Sequence, residues 1–288
     1  MTKKLFTVLI MLLFLAGAGL MAYPAVSNLI YEERQDELMD YYDKLTVEEI
    51  PEEDRSAEFQ ECWDYNEGLR KGGVLLTDPF DEAQLDPASM PYAGLLNIDG
   101  DGSMGYIEIP AIDVKLMIYH GTEEDVLQKG VGHLQGSSLP VGGTGSHCVL
   151  SAHTGLNNKK LFTDLDQLKE GDVFYIHVLG EILAYQVDQI KIVLPDETDD
   201  LKINAEEDYV SLVTCTPYGV NTHRLIVRGT RIPYEEAVKA EEISTPRKST
   251  WMEQYFHAAV AGIAIVSAII LIAAVVKYWK RRRNRHET

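Results

Sequence analysis

Cysteine is scarce in this 288-residue chain, which holds only Cys62, Cys148 and Cys215. Three cysteines cannot build a disulfide framework, and at least one thiol must stay unpaired. There is no internal repeat and no low-complexity tract, which argues against solenoid and fibrous architectures. No EF-hand-like loop and no His/Cys ligand spacing occurs, so neither a metal nor a cofactor is expected. Basic residues are also few where they would matter for nucleic acid. Between two apolar runs near the ends lie 18 Lys and Arg against 44 Asp and Glu, a net charge of −26. Such a surface disfavours nucleic-acid partners, whose phosphates demand basic patches, and serves solubility instead.

The apolar runs cover residues 5–23, behind Lys3 and Lys4, and residues 258–276, ahead of Lys277, Lys280, Arg281, Arg282, Arg283 and Arg285. Each matches the ~20 residues that cross a bilayer. The basic cluster after the second run keeps that end in the cytoplasm, so both termini are expected inside and the middle outside. A basic start with an apolar core also describes a cleavable signal peptide. The length of the run, the missing small-x-small cleavage site and the helical pattern after Tyr23-Pro24 favour a retained anchor. The expected plan is therefore a cytoplasmic start (1–4), an anchor (5–23), N-terminal helices (24–67), a loop (68–103), a β domain (104–235), a linker (236–257), a second membrane helix (258–276) and a basic cytoplasmic tail (277–288).

Within the exported segment, Leu38, Tyr41, Tyr42 and Leu45 recur at helical spacing. So do Phe59, Cys62, Trp63 and Asn66 beyond the break at Ile50-Pro51, predicting two amphipathic helices. Residues 68–103 carry turn chemistry instead: Gly72-Gly73, Asp78-Pro79-Phe80, Asp86-Pro87 and Met90-Pro91. A loop this long in a compact protein is often functional. From Met104 the pattern alternates. Strands are predicted around 114–119, 149–153, 173–178, 183–187, 190–194, 209–215 and 224–228, with a short helix over 160–168. Short strands divided by turns imply a closed barrel or a sandwich.

Cys62 falls on a helical stripe and Cys148 on the strand face opposite His153, so both are read as packing residues, with a Cys62–Cys148 bridge as a minor alternative. Cys215 remains as the candidate nucleophile at the end of a strand. The turn formers Pro217, Gly219 and Asn221 predict a hairpin that returns Arg224 beside it, whereas Arg228 lies about 13 Å further along at ~3.3 Å per residue. An adjacent cation favours the thiolate. A guanidinium also offers fixed N–H donors to an oxyanion, and histidine can hand a proton to a leaving amine near neutrality. Among eight histidines, chemistry alone does not settle the proton carrier: His120, His133, His147, His177 and His223 lie in the exported segment beside His153, with His223, next to Arg224, as the runner-up.

The segments Ser146-His147-Cys148-Val149-Leu150-Ser151-Ala152-His153-Thr154-Gly155 and Leu212-Val213-Thr214-Cys215-Thr216-Pro217-Tyr218-Gly219 through to Arg224 resemble the two signatures of sortases. More narrowly they are similar to class C, the pilin-polymerising sortases of Gram-positive bacteria, with Gly130 to Leu134 and Gly136 to Pro140 adding to the match. The resemblance implies an all-β core, a closed eight-stranded barrel with N-terminal helices and two transmembrane helices. It also implies a catalytic trio of His153, Cys215 and Arg224. Asp78, Pro79 and Phe80 would form a lid, the acid pairing with Arg224 and the ring covering Cys215. The implied reaction cleaves an LPxTG-like signal between Thr and Gly, passes through a thioester, and joins pilin subunits through a lysine. A housekeeping sortase that anchors proteins to peptidoglycan, and a non-catalytic tethered ectodomain, are the alternatives.

Overall fold

The computed structural model describes residues 3–72, 76–81, 91–156, 158–244, 246–247 and 249–284. The expected turns at Gly73, Asp86-Pro87 and Met90, and the tail from Arg285, lie outside the described residues. The chain divides into two compact units, residues 1–23 with 249–288, and residues 24–248.

In the first unit, the opening of helix α1 (Lys3–Asp43) leaves Leu13, Phe14 and Leu15 exposed, and helix α5 (Thr250–Asn284) does the same with Ile269, Ile270 and Leu271. Among the described residues, one helix, at the N-terminus, is long and apolar enough to cross a membrane, while α5 offers a shorter apolar stretch, Ala259–Ile272. Two spans were expected from the sequence, and one meets that measure.

The second unit is built on a barrel whose strands run β1 (Ser103–Ile109), β2 (Val114–His120), β3 (Val131–His133), β4 (Ser146–Ser151), β5 (Val173–Val178), β6 (Glu181–Val193), β7 (Asp208–Thr216) and β8 (His223–Ile232). Around the barrel the order is β1-β2-β3-β4-β7-β8-β6-β5, and the sheet closes on itself. The pairs β2–β3 and β4–β7 are parallel, and the other neighbours are antiparallel. Alternation sorts each strand between two faces. On β7, Val210 and Leu212 point inward to join Ile107, Ile118, Leu150, Phe174 and Tyr185, and Val213 points outward with Val149 of β4 and Ile226 of β8.

Helix α2 (Glu52–Gly72) docks on the barrel through an amide that copies a strand's bonding. Asn66 Oδ1 accepts from Leu139 N at 2.7 Å, and its Nδ2 donates to Leu139 O at 3.3 Å. Gln35 of α1 does likewise, accepting from Met117 N at 2.9 Å and donating to Lys129 O at 3.3 Å.

Several expectations need correction. The segments 183–187 and 190–194 form one strand, β6, bent by a register shift between Val187 and Gln189. The helix expected over 160–168 is a single 3-10 turn, Leu165–Gln167, because Leu161 takes a positive φ of 44° that no α-helix accommodates. Tyr41, placed on the buried stripe by its spacing, is 52% exposed; Met39 and Tyr42 carry the packing instead. Of the stretch 236–257 expected as a linker, residues up to Ile243 belong to helix α4 (Tyr234–Ile243). Ala237 of that helix is buried in the cluster formed with Val173 and Tyr175 of β5 and Ala184 of β6, and Arg247 beyond it grips Asp172 at 2.6 and 2.9 Å. The short helix α3 (Glu124–Leu127) and strand β3 had no counterpart in the sequence reading.

Candidate active site

The parallel pairing of β4 with β7 brings both strands' C-terminal ends to one rim. Ala152 N donates to Val213 O at 3.2 Å and Thr214 Oγ1 donates to Ala152 O at 2.7 Å. His153 therefore leaves β4 beside the stretch of β7 that ends in Cys215. Its own carbonyl accepts from Phe162 N at 3.1 Å, which fixes the backbone two residues past the strand.

Across the β7–β8 hairpin, Cys215 stands directly opposite Arg224 in register. The connecting loop turns at Gly219 and Asn221, both at positive φ, with Asn221 N donating to Pro217 O at 3.0 Å. The guanidinium is steered from this loop, since Nη1 donates to Asn221 O at 3.2 Å and to His223 O at 3.1 Å. Its other edge grips Asp78 in a two-point ion pair, Nε to Oδ1 at 2.8 Å and Nη2 to Oδ2 at 2.5 Å. That fork is the geometry in which arginine binds carboxylate most strongly.

Phe80 completes the cover. Its ring lies 5.0 Å from the Arg224 Cζ and 6.0 Å from the His153 ring centroid. Leu76 and Phe80 both pack onto the outward patch of Leu134, Val149, Leu201, Val213 and Ile226. The segment 76–81 thus packs Leu76 and Phe80 on either side of the Asp78–Arg224 pair.

Cys215 is half-buried, and burial pushes its thiol above the ordinary value, with Arg224 pulling it down and Asp78 pushing it further up. Asp78 therefore adds to burial in opposing thiolate formation, by placing a carboxylate near the sulfur. Cys62 and Cys148 are free and buried among the inward residues, as packing residues would be, and burial raises both thiols. They are not joined.

His133 and His147 have both ring nitrogens engaged. His133 is fully buried between the Tyr92 hydroxyl and Ser138 O, and His147 between Lys202 O and Ser211 Oγ; burial holds both down to about 4. His223, the alternative base, is bonded to its neighbour Thr222 at the surface. His153 contacts the lid ring, and its Nε2 lies 3.2 Å from Glu124 Oε2, an acid to which no sequence pattern pointed. Arg228, the second arginine on this face, forms a two-point pair with Asp188 and lies over the Tyr209 ring, away from the cysteine.

A closed barrel with a cysteine, a histidine and an arginine under one lid defines a cysteine acyl-transfer protein. A family model described as the sortase domain matches residues 107–232. Sortase D of Bacillus subtilis is 32% identical over 131 residues, covering 44% of this chain and 63% of that relative, so the chain spans just under two thirds of its length. Among solved structures, sortase C-1 of Streptococcus pneumoniae is 47% identical, with a TM-score of 0.64 over 69% of this chain and 99% of that one. Sortase C1 of GBS pilus island 1 is 43% identical, with a TM-score of 0.62 over 68% of this chain and 91% of that one. The chain belongs to the sortase family, with class C sortases as its structural neighbours, and is a cysteine transpeptidase.

Proposed function

We propose that this sortase polymerises pilins from a two-pass membrane position, with residues 24–257 outside and both termini in the cytoplasm. Cys215 acts as nucleophile, His153 as proton carrier and Arg224 as oxyanion partner. The Cys215 thiolate attacks the Thr carbonyl carbon of an LPxTG-like signal, and Arg224 donates to the oxyanion. The carbonyl carbon–nitrogen bond then breaks, the leaving glycine amine takes its proton from the His153 imidazolium, and a thioester remains. An acceptor lysine on another pilin, losing its proton to His153, displaces the sulfur. The products are an isopeptide bond and a regenerated thiolate.

The observation that carries this reading is the opposition of Cys215 and Arg224 across the hairpin, with Asp78 and Phe80 both on the Arg224 guanidinium. The pilus-island origin of one structural neighbour supports the choice of pilins as substrate. The lid suits an enzyme that stays shut until substrate arrives, because a segment that fills the same apolar patch can displace one ion pair and one ring.

The test is intact-mass spectrometry of the full chain in detergent, carrying Asp78→Ala and Phe80→Ala, after incubation with an LPxTG peptide. The expected result is a thioester-sized adduct that is lost on adding a pilin-derived lysine peptide and absent in Cys215→Ala. An adduct persisting in Cys215→Ala would sink the mechanism. Release by a cell-wall cross-bridge peptide but not by the lysine peptide would point to peptidoglycan anchoring.

A further inference from the structure

His153 has one edge that the mechanism leaves without a role. Its Nε2 is shielded from solvent and makes no hydrogen bond of good geometry within the protein, yet Glu124 Oε2 lies 3.2 Å away. Glu124 does not drift there by chance of an idle surface rotamer. Its other oxygen, Oε1, accepts from Gln128 Nε2 at 2.7 Å, one helical turn on, so both oxygens of the carboxylate are engaged. Helix α3 is anchored in turn by the buried Leu127, and the Gln128 carbonyl accepts from the ammonium of Lys159, which belongs to the loop following His153.

We propose that Glu124 is a positioning residue for His153: its carboxylate takes up the Nε2 edge of the ring, favours the imidazolium, and leaves Nδ1 as the nitrogen that exchanges a proton with substrate and thiol. The inference rests on the catalytic role given to His153 above. An anion within ion-pair distance of a mostly shielded imidazole stabilises its charged form, and fixing one ring nitrogen determines which tautomer remains when the proton leaves. No proton moves to Glu124 in this scheme.

The charged groups on the neighbouring elements have partners of their own. From the lid, Asp78 is taken up by Arg224 and only the uncharged Phe80 ring meets His153. From β7 the Cys215 thiolate, when formed, also favours the imidazolium. From β8 Arg224 opposes it, as does Lys159, whose ammonium is turned to the Gln128 carbonyl and the Tyr31 ring. Glu124 is thus the acid within ion-pair distance of the ring, and because its side chain is 71% exposed its influence is modest.

The test uses the full chain in detergent with 13C-labelled histidine, the His153 signal assigned by its loss in His153→Gln. Glu124→Gln is expected to move the His153 signal's titration downward and leave the other seven histidines in place. Gln128→Ala, which releases the carboxylate, should give a smaller change, and Glu124→Asp should recover part of it. The kcat for peptide transfer at neutral pH should drop severalfold with KM unchanged. An unmoved midpoint in Glu124→Gln, with His153→Gln inactive, overturns the role of Glu124 alone. Full activity in His153→Gln overturns the catalytic assignment, and the proposal with it.

Discussion

Asp78 and Arg224 form a two-point ion pair at 2.8 and 2.5 Å with both side chains nearly nine-tenths shielded, and that pair ties segment 76–81 to the residue standing opposite Cys215. Replacing Asp78 and Phe80 with alanine removes a carboxylate that raises the thiol and a ring packed beside the site. The Cys215 thiol should fall, and its labelling by a small alkylating reagent at neutral pH should rise severalfold. Cys62 and Cys148, buried with raised thiols, should stay silent in the native protein, so the rate is read on Cys215 by mass mapping. An unchanged rate would mean that the segment is not a lid.

Asn66 satisfies both backbone groups of Leu139 from helix α2. Asn66→Ala strands a buried N–H and a buried carbonyl at once, and the expected loss is about 2–4 kcal/mol. Equilibrium urea unfolding of the wild type and variant checks it. A loss below about 0.5 kcal/mol, the level of an ordinary surface substitution, would mean that α2 is held by its apolar stripe alone.

Gly155 follows the candidate base by two residues, at a φ of +79°, and a Cβ there would meet the Tyr218 ring at 3.3 Å. Gly155→Ala should cost about 1 kcal/mol through the left-handed backbone. It should also push Tyr218, hence the β7–β8 loop that carries Asn221 and steers Arg224. Peptide transfer is expected to fall severalfold. Adding Tyr218→Ala should restore the steric part and leave the backbone part, a pattern read by comparing the single and double variants in melting temperature and kcat/KM.

Glu108 predicts an acid-side signature unrelated to catalysis. Hydrogen bonding from His177, then from Lys115, outweighs its burial and depresses the carboxyl to about 2. A depressed carboxyl contributes stability that is present above its unfolded value of about 4.3 and lost as pH falls toward the folded value. Between pH 4.5 and 2 the wild type should therefore lose stability faster than Glu108→Gln, and above pH 6 the variant should be the weaker of the two. Parallel curves for the two proteins in thermal melts across that range would remove Glu108 from the account.

Much of the barrel was legible because its strands alternate cleanly, as Val173–Val178 and Asp208–Thr216 do. What escaped did so for physical reasons. β3 is three residues long with glycine at its centre, too short to show a period. β6 read as two strands because the bulge turns Asp188 out to meet Arg228 and interrupts the alternation. Phe162, Leu165 and Leu168 mimic a helix at three-residue spacing while their backbone turns elsewhere. At the site, the hairpin placing Arg224 opposite Cys215 followed from turn residues. The Asp78–Arg224 pair, 146 residues apart, came only through the resemblance, and Glu124 came through neither, since an exposed acid on a four-residue helix has no local signal.

The order of the parts along the chain sets the order of their assembly. Synthesis runs from the N-terminus, so the lid segment exists before the histidine, the histidine before the cysteine, and the arginine comes last. β7 and β8 cannot pair until the chain is made through Ile232, and β7 must also find β4 in parallel across a long intervening stretch. Pairings so distant in sequence form late. On the roles proposed above, Cys215 and Arg224 are the last parts of the site to be set in place, and the Asp78–Arg224 pair that ties down a segment from the first third of the chain can form only then.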